Sequence, residues 1–406
     1  SMGRVFSRLG DRGRQALILV GVNGIFWFAW AFGCYQTVYL QNIGFSASSM
    51  GIVNALSSAV GIASVAFWGM ASDRVGSLRK ILITVLGCGA IFYAMIPLVP
   101  KEAHLLLMCV IPAINFFRGS MSTYAENILV RNCNELRLNY GALRSIGSIL
   151  FTIGSLIIAS WLPKLGVQHT FWITGIFMLI PIVLTFFARE PQGKMVKKKS
   201  NGENDETKRA GLDLSELFKN RAYVAFLVFG FIFYIAVACE GNFLPYYMES
   251  IGVDSQKYGI ILAYRALLEV PFLVLMVKLR RKFQLKVLVL GAVILFSLES
   301  LGFGLFANSL TTMIIFCTFF GLGNGLFIGS SLNYVYELAP SHLKASAQAF
   351  FTSISSVAGI LGNLVGGLIF DTIGAKPFYL LVAGLYVLSF GVFAISSLKK
   401  KSEDSQ

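Results

Sequence analysis

The second half of this chain repeats the first at a constant spacing of 208 residues. Ile43-Gly44 and Gly51-Ile52 recur as Ile251-Gly252 and Gly259-Ile260, and Ser145, Gly154 and Gly166 recur as Ser353, Gly362 and Gly374, with no gap needed. A repeat of about half of the 406 residues means two copies of one large unit, because solenoid repeats run at about 20 to 50 residues per copy. The repeated material is apolar. Hydrophobic residues make up 56% of the chain and charged residues 13%, where a soluble chain carries roughly a quarter charged residues. Lipid is therefore the expected solvent.

A helix that crosses a bilayer needs about 20 mostly apolar residues. Twelve stretches qualify, near 16–40, 49–72, 81–99, 105–128, 140–162 and 169–188, then 222–248, 256–278, 286–306, 310–337, 345–370 and 377–398. Six fall in each copy. The expected fold class is thus an all-α integral membrane protein with twelve transmembrane helices in two pseudo-symmetric six-helix bundles, 1–188 and 221–398. A cytoplasmic linker, 189–220, joins them, and 399–406 forms a cytoplasmic tail. Two large parallel halves are a plan used by secondary transporters.

The net charge of +14 raises the question of nucleic acid, but its distribution answers otherwise. Lys101, Lys164, Lys257 and Lys376 are the basic residues of one set of loops, Arg118, Arg144 and Arg265 lie within spans, and all the rest fall on the side that carries both termini. That bias follows the positive-inside rule and places both termini in the cytoplasm. A bacterial inner membrane is the expected location, with lipid, a small solute and protons as partners, no nucleic acid, and a monomer as the working unit. Ser1-Met2 reads as a remnant of tag cleavage, and the first span, too long for a signal peptide and without a cleavage site, is expected to stay in place.

Six cysteines are scattered singly, with no CxxC or Cys/His spacing, so neither a disulfide frame nor a metal site is expected. The hydrophilic stretch from Arg189 to Asn220 contains Lys197-Lys198-Lys199, read as a topology or anionic-lipid signal. It ends in Leu212, Leu214, Leu217 and Phe218 interleaved with Asp213, Ser215 and Glu216, which predicts a short interfacial helix. No GxxxxGKS or GxxxxGKT loop is present, which disfavours direct drive by ATP.

The loop after span two reads Gly69-Met70-Ala71-Ser72-Asp73-Arg74-Val75-Gly76-Ser77-Leu78-Arg79-Lys80. It resembles the loop signature of the major facilitator superfamily, G-x-x-x-D-R-x-G-R-R/K, with one extra residue before Arg79-Lys80. The resemblance implies a gating role for Gly69, Asp73, Arg74, Gly76 and Arg79, in which the Asp contacts basic residues and a neighbouring helix terminus. The second copy, Leu279-Arg280-Arg281-Lys282-Phe283, keeps the charge without the pattern. A narrower likeness lies in span five, where Tyr140-Gly141-Ala142-Leu143-Arg144-Ser145-Ile146-Gly147-Ser148 is similar to a segment of the lactose permease-like proton symporters of sugars, nucleosides and aromatic acids. Those relatives carry an Arg here; in lactose permease it pairs with a Glu near the end of span four, and both contact the sugar. The matching residues in this chain are Arg144 and Glu126.

An ionisable residue at membrane depth is costly and is by default a functional hypothesis. The candidates are Arg118 and Glu126 in span four, Arg144 in five, Glu240 in seven, Arg265 and Glu269 in eight, and Glu299 in nine. These leave one formal carboxylate without a basic partner, a natural place for a transported proton. The hairpin between spans four and five sets Glu126 and Arg144 at similar depth, where they pair either as a substrate contact or as a clamp between helices. Arg118 lies deeper and is the first choice for substrate binding. Arg265 and Glu269 stand four apart and share a helical face on which they can pair, which would leave Glu240 or Glu299 as the free carboxylate. Glu269 or Glu240 is the expected proton carrier, with a structural role the alternative; Glu299 then bonds to a neighbouring helix.

Span one is ringed with aromatic residues. Trp27 and Tyr35, eight apart, are expected to share the cavity face with Asn23, offering ring stacking and hydrogen bonds to a polar ring. Asn324, Asn333 and Gln348 are the polar candidates of the second half. The expected function is alternating-access uptake of a small polar solute, a saccharide before a nucleoside or aromatic acid, with the proton gradient as driving force and no cofactor. Export of drugs or lipids, or binding without turnover, are the competing readings. Enzyme activity is not expected, because no nucleophile and base constellation occurs and His104, His169 and His342 lie at loop edges.

Overall fold

The computed structural model describes residues 10–192 and 214–403. The Lys197-Lys198-Lys199 run, Leu212 and Asp213 lie outside them. Twelve helices are long and apolar enough to cross a membrane: span 1 Asp11–Asn42, span 2 Ala47–Val75, span 3 Leu78–Leu98, span 4 His104–Leu136, span 5 Tyr140–Leu165, span 6 Val167–Phe187, span 7 Arg221–Asn242, span 8 Ser255–Lys282, span 9 Leu285–Leu305, span 10 Leu310–Leu338, span 11 Ser346–Ile373 and span 12 Ala375–Ser396. No strand occurs among the described residues.

The chain divides into two compact units, one built on spans 1 to 6 together with Ser255–Ala263, the other on spans 7 to 12 together with Ser46–Gly51. Packing repeats between them. Span 1 lies against spans 5 and 6 and span 3 against spans 4 and 6, while span 7 lies against spans 11 and 12 and span 9 against spans 10 and 12. Backbone detail repeats as well. Gly44 and Gly252 turn at φ +102° and +77°, and Gly166 and Gly374 at φ +86° and +87°. Any other L-residue would strain there, by about 1–2 kcal/mol. The short helices Gln36–Asn42 and Leu244–Ser250 also correspond at the same spacing. The symmetry fails at one turn: Gly76 has φ +70°, but its counterpart Gln284 has φ −66°, which is where the second copy of the loop signature is lost.

Each unit buries an apolar interior and turns its remaining apolar surface outward. In the first, Phe26, Leu82, Val85, Met121 and Ile128 are buried together. In the second, Phe226, Phe229 and Phe233 stack in sequence along span 7. The predicted linker helix is present at 214–219. Its Leu217 is buried, and Phe218 meets Phe350 edge-on at 5.3 Å.

Span 1 is not one continuous helix. It stops at Gly33 and restarts at Gln36, so residues on either side of Cys34-Tyr35 do not keep the helical register that would align Trp27 with Tyr35.

Candidate functional site

Span 4 ends at Leu136 with Arg137 in the left-handed region at φ +53°. Asn139 then caps span 5 by accepting from the Ala142 amide at 3.2 Å. This tight turn folds span 5 back beside span 4 and brings Arg144 to Glu126. The Arg144 Nε lies 2.7 Å from Glu126 Oε1. The same oxygen accepts from Trp27 Nε1 at 3.0 Å and from Asn23 Nδ2 at 3.2 Å, while Tyr140 donates to Oε2 at 2.9 Å. Arg144 also donates to Ser148 Oγ at 3.3 Å and stands 4.8 Å over the Trp27 ring. Charge-assisted bonds of this kind are roughly twice as strong as neutral ones.

The cluster is not sealed. The Arg144 and Glu126 side chains keep 29% and 24% of their exposure, so both charges remain open to their surroundings. Gly147 lets the cluster draw together, since a Cβ there would press on Asn23, Trp27 and Arg144 at 2.9–3.0 Å. Glu126 was expected beside Arg144, and Asn23 beside Trp27, but the bonds that join the two groups and the parts of Tyr140, Gly147 and Ser148 were not. Tyr140 and Ser148 were legible in principle, each lying four residues from Arg144.

Tyr35, expected beside Trp27 and Asn23, is elsewhere, and Arg118 lies at another depth. Tyr35 is fully buried, donates to the Gln256 carbonyl at 2.7 Å and accepts from the Gly259 amide at 2.6 Å; the break in span 1 removes it from the face of Trp27 and Asn23. Arg118 lies eight residues before Glu126, about 12 Å along the helix. Its guanidinium sits between the rings of Trp30 at 4.2 Å and Tyr93 at 3.9 Å. It makes no ion pair among the described residues.

In the second unit Arg265 does not take up the pairing with Glu269 that their spacing allows. Arg265 Nη2 instead reaches Glu240 Oε1 and stands 2.8 Å from both oxygens of Glu299. Phe320 stacks on the guanidinium at 3.9 Å. Glu240 and Glu299 are completely buried and Arg265 nearly so. Partners four residues apart share a face of an isolated helix, but here the guanidinium reaches Glu240 of span 7 and Glu299 of span 9, while Gly321 and Gly325 of span 10 lie against the backbone of Arg265 and Glu269. Glu269 accepts from Asn324 Nδ2 at 2.7 Å. Asn324 lines a cleft of about 410 Å³ whose walls include Phe233, Tyr234, Phe327, Phe351 and Gln348. Gln348 Oε1 is buried with no hydrogen-bond partner among the described residues. Asn333 is occupied elsewhere, donating to the Gly329 carbonyl and accepting from Arg280.

The loop signature is arranged differently from expectation. Asp73 and Arg74, in the last turn of span 2, are exposed and make no hydrogen bond or ion pair among the described residues. Gly69 packs near the Tyr124 hydroxyl, and the left-handed turn at Gly76 leads into span 3. The carboxylate at that helix terminus is Glu190, which accepts from Ser77 Oγ at 2.7 Å, the Leu78 amide at 2.6 Å and the Arg79 amide at 3.4 Å. An anion there satisfies orphan amides and meets the positive end of the helix dipole. Glu190→Ala is expected to lower stability by about 1 kcal/mol, and at most about 2, in line with lost caps. A melting midpoint unchanged from wild type in lipid nanodiscs would remove Glu190 from this role. Nothing in the spacing of residues marks Glu190 beyond its place before Pro191, just after span 6 ends at Phe187.

Residues 24–381 match the model described as the MFS_1 like family. The chain is 25% identical over 355 residues to the uncharacterized transporter YwbF of Bacillus subtilis, covering 86% of this chain and 84% of that one. It is 23% identical to the maltose permease of Geobacillus stearothermophilus over 82% of each chain. It is also 23% identical to the putative nucleoside transporter YegT of Escherichia coli, over 85% of this chain and 82% of the relative. The crystal structure of the nucleoside transporter NupG shares the fold, with a TM-score of 0.76 at 19% identity, over 95% of this chain and 99% of that one.

Proposed function

The chain belongs to the MFS_1 like family and is a multi-pass membrane transporter; from that premise we propose that it takes up a small hydroxylated solute, a saccharide before a nucleoside, together with a proton. The observation that carries this reading is the Glu126 cluster. A carboxylate and a guanidinium with exposed edges, beside the indole of Trp27, offer an acceptor, a donor and a flat apolar face, the combination that recognises a sugar ring. The relatives named as a maltose permease and a putative nucleoside transporter support the same solute class.

One observation favours the nucleoside as second reading. The aromatic walls of the cleft in the second unit, with the amides of Asn324 and Gln348, suit a flat heteroaromatic ring better than a bare polyol.

In the proposed cycle Glu126 and Arg144, steadied by Asn23 and Trp27, hold the solute, and Arg118 is a further donor edge in the same unit. Glu269 carries the proton, because its bond to Asn324 ties the carboxylate to the cleft. Glu240, Glu299 and Arg265 act as a buried brace. Asp73, Arg74, Gly76, Gly69 and Arg79 gate the exchange of conformations. The protein works as a monomer in the inner membrane with both termini cytoplasmic, and the proton gradient is its energy source.

The test is uptake of radiolabelled maltose and uridine into proteoliposomes under an imposed inward proton gradient. Wild type is expected to accumulate one of them and to stop when the gradient is collapsed. Glu269→Gln is expected to lose uphill accumulation while exchange without a gradient continues. Unchanged uphill uptake removes Glu269 from coupling; absence of accumulation by wild type, with proton-driven expulsion of apolar cations, replaces uptake by export.

A further inference from the structure

The first unit holds a polar cavity remote from Glu126 and Arg144. It is an open cleft of about 460 Å³ lined by Tyr39, Asn42, Lys101, Glu102, Gln168 and Gln256. Its walls come from the short helix Gln36–Asn42, the turn before span 4, the turn between spans 5 and 6, and the first residues of span 8. Backbone geometry fixes two of these walls, since Gly44 and Gly166 turn in the left-handed region. His104 fastens a third through a 3.0 Å bond to the Ile43 carbonyl and a ring contact with Phe45 at 4.7 Å.

Tyr39 carries a second, independent observation. Its side chain is 3% exposed, and its ring is held edge-on against Phe171 at 5.0 Å. The hydroxyl nevertheless has no hydrogen-bond partner among the described residues. A buried hydroxyl left unmatched is costly, and Tyr39 lines this cavity.

The lining chemistry narrows the ligand. The side-chain amides each donate and accept, as a hydroxyl does. Lys101 and Glu102 add one positive and one negative group side by side, so a solute with net charge would satisfy one and oppose the other. The volume lies within the range of small-molecule sites, about 300–1,000 Å³. Along span 4, His104 and Glu126 are separated by 22 residues, which is about 33 Å of helix, so a ligand here touches neither member of the Glu126–Arg144 pair.

We propose that this cavity is a separate binding site for a neutral polyhydroxylated solute, at the end of the first unit opposite the Glu126–Arg144 cluster. By the distribution of lysine and arginine that end faces outward, where the site would hold solute before transport. The choice of solute rests on the uptake reading above; the existence of the site does not.

The experiment uses saturation-transfer NMR with maltose and with uridine on the full chain in nanodiscs free of maltoside detergent, whose headgroup would compete. Two backgrounds, Arg144→Ala and Glu126→Gln, disable the other cluster. Each is expected to retain saturation transfer to one probe, and addition of Tyr39→Phe with Gln168→Leu is expected to weaken the apparent affinity about 5- to 30-fold, the loss of one or two hydrogen bonds. No transfer in either background overturns the site, as does affinity unchanged by the added substitutions in protein whose melting midpoint is preserved; the Tyr39 hydroxyl is then matched by solvent. Transfer that persists in a protein that accumulates neither probe defeats the uptake reading alone, and uptake by wild type without residual transfer in both backgrounds defeats the site alone.

Discussion

Replacing Arg265 with methionine is expected to be the most damaging single change in the second unit, costing about 3–5 kcal/mol, the range measured when one partner of a buried ion pair is removed. Glu240 and Glu299 would remain completely buried without the guanidinium that now bonds to both. Neither can turn to water. The Glu240 backbone is itself held by the Tyr379 hydroxyl at 2.7 Å, and the neighbouring Tyr386 is fully buried. Glu299→Gln keeps the shape and a hydrogen-bonding carbonyl, so its effect is expected to be far smaller. Combining Arg265→Met with Glu240→Gln and Glu299→Gln is expected to recover much of the loss, because charges removed together leave nothing unpaired. The check is the melting midpoint of each variant in nanodiscs with the fraction recovered as monodisperse protein. If Arg265→Met melts with the wild type, the three residues are not the brace of this unit.

Glu126→Gln and Arg144→Lys are expected to cut solute uptake about thirtyfold, near 2 kcal/mol, the low end for breaking a hydrogen-bonded charge pair. The low end applies because both side chains remain partly exposed, where solvent screens the charge. Lysine keeps the charge of Arg144 but loses the planar donor edge and the stacking on Trp27. The pair was open to two interpretations, and the experiment separates them. A substrate contact predicts lower uptake with nearly unchanged melting. A clamp between spans 4 and 5 predicts lower melting, with uptake per folded molecule preserved.

Several features of the protein were legible because they depend on covalent order alone. The spacing of 208 residues marked two copies of one unit, and in the structure Gly44 with Gly252 and Gly166 with Gly374 turn in pairs on the backbone that only glycine takes easily. The Glu126–Arg144 pair was legible because a short hairpin ties the two helices. Other pairings were hidden in helix rotation. Arg265 has a carboxylate one turn along its own helix, yet bonds to two from other helices; a local face says what is within reach and not which partner packing brings closer. Tyr35 was misplaced because periodicity assumes a continuous helix, and span 1 breaks at Cys34. Glu190 was missed because a capping contact across 113 positions leaves no mark in the spacing.

Sequence by itself therefore determined the solvent, the twelve spans, the two-fold repeat and the one charged pair joined by a tight turn. Each follows from composition, periodicity or chain connectivity, which act over a few residues or along a fixed offset. The tertiary structure alone decided which buried charges neutralise one another, which aromatic rings enclose Arg118, and which carboxylate meets the start of span 3. These depend on how helices rotate and cross, a balance of many small packing terms summed over each unit that no local pattern encodes.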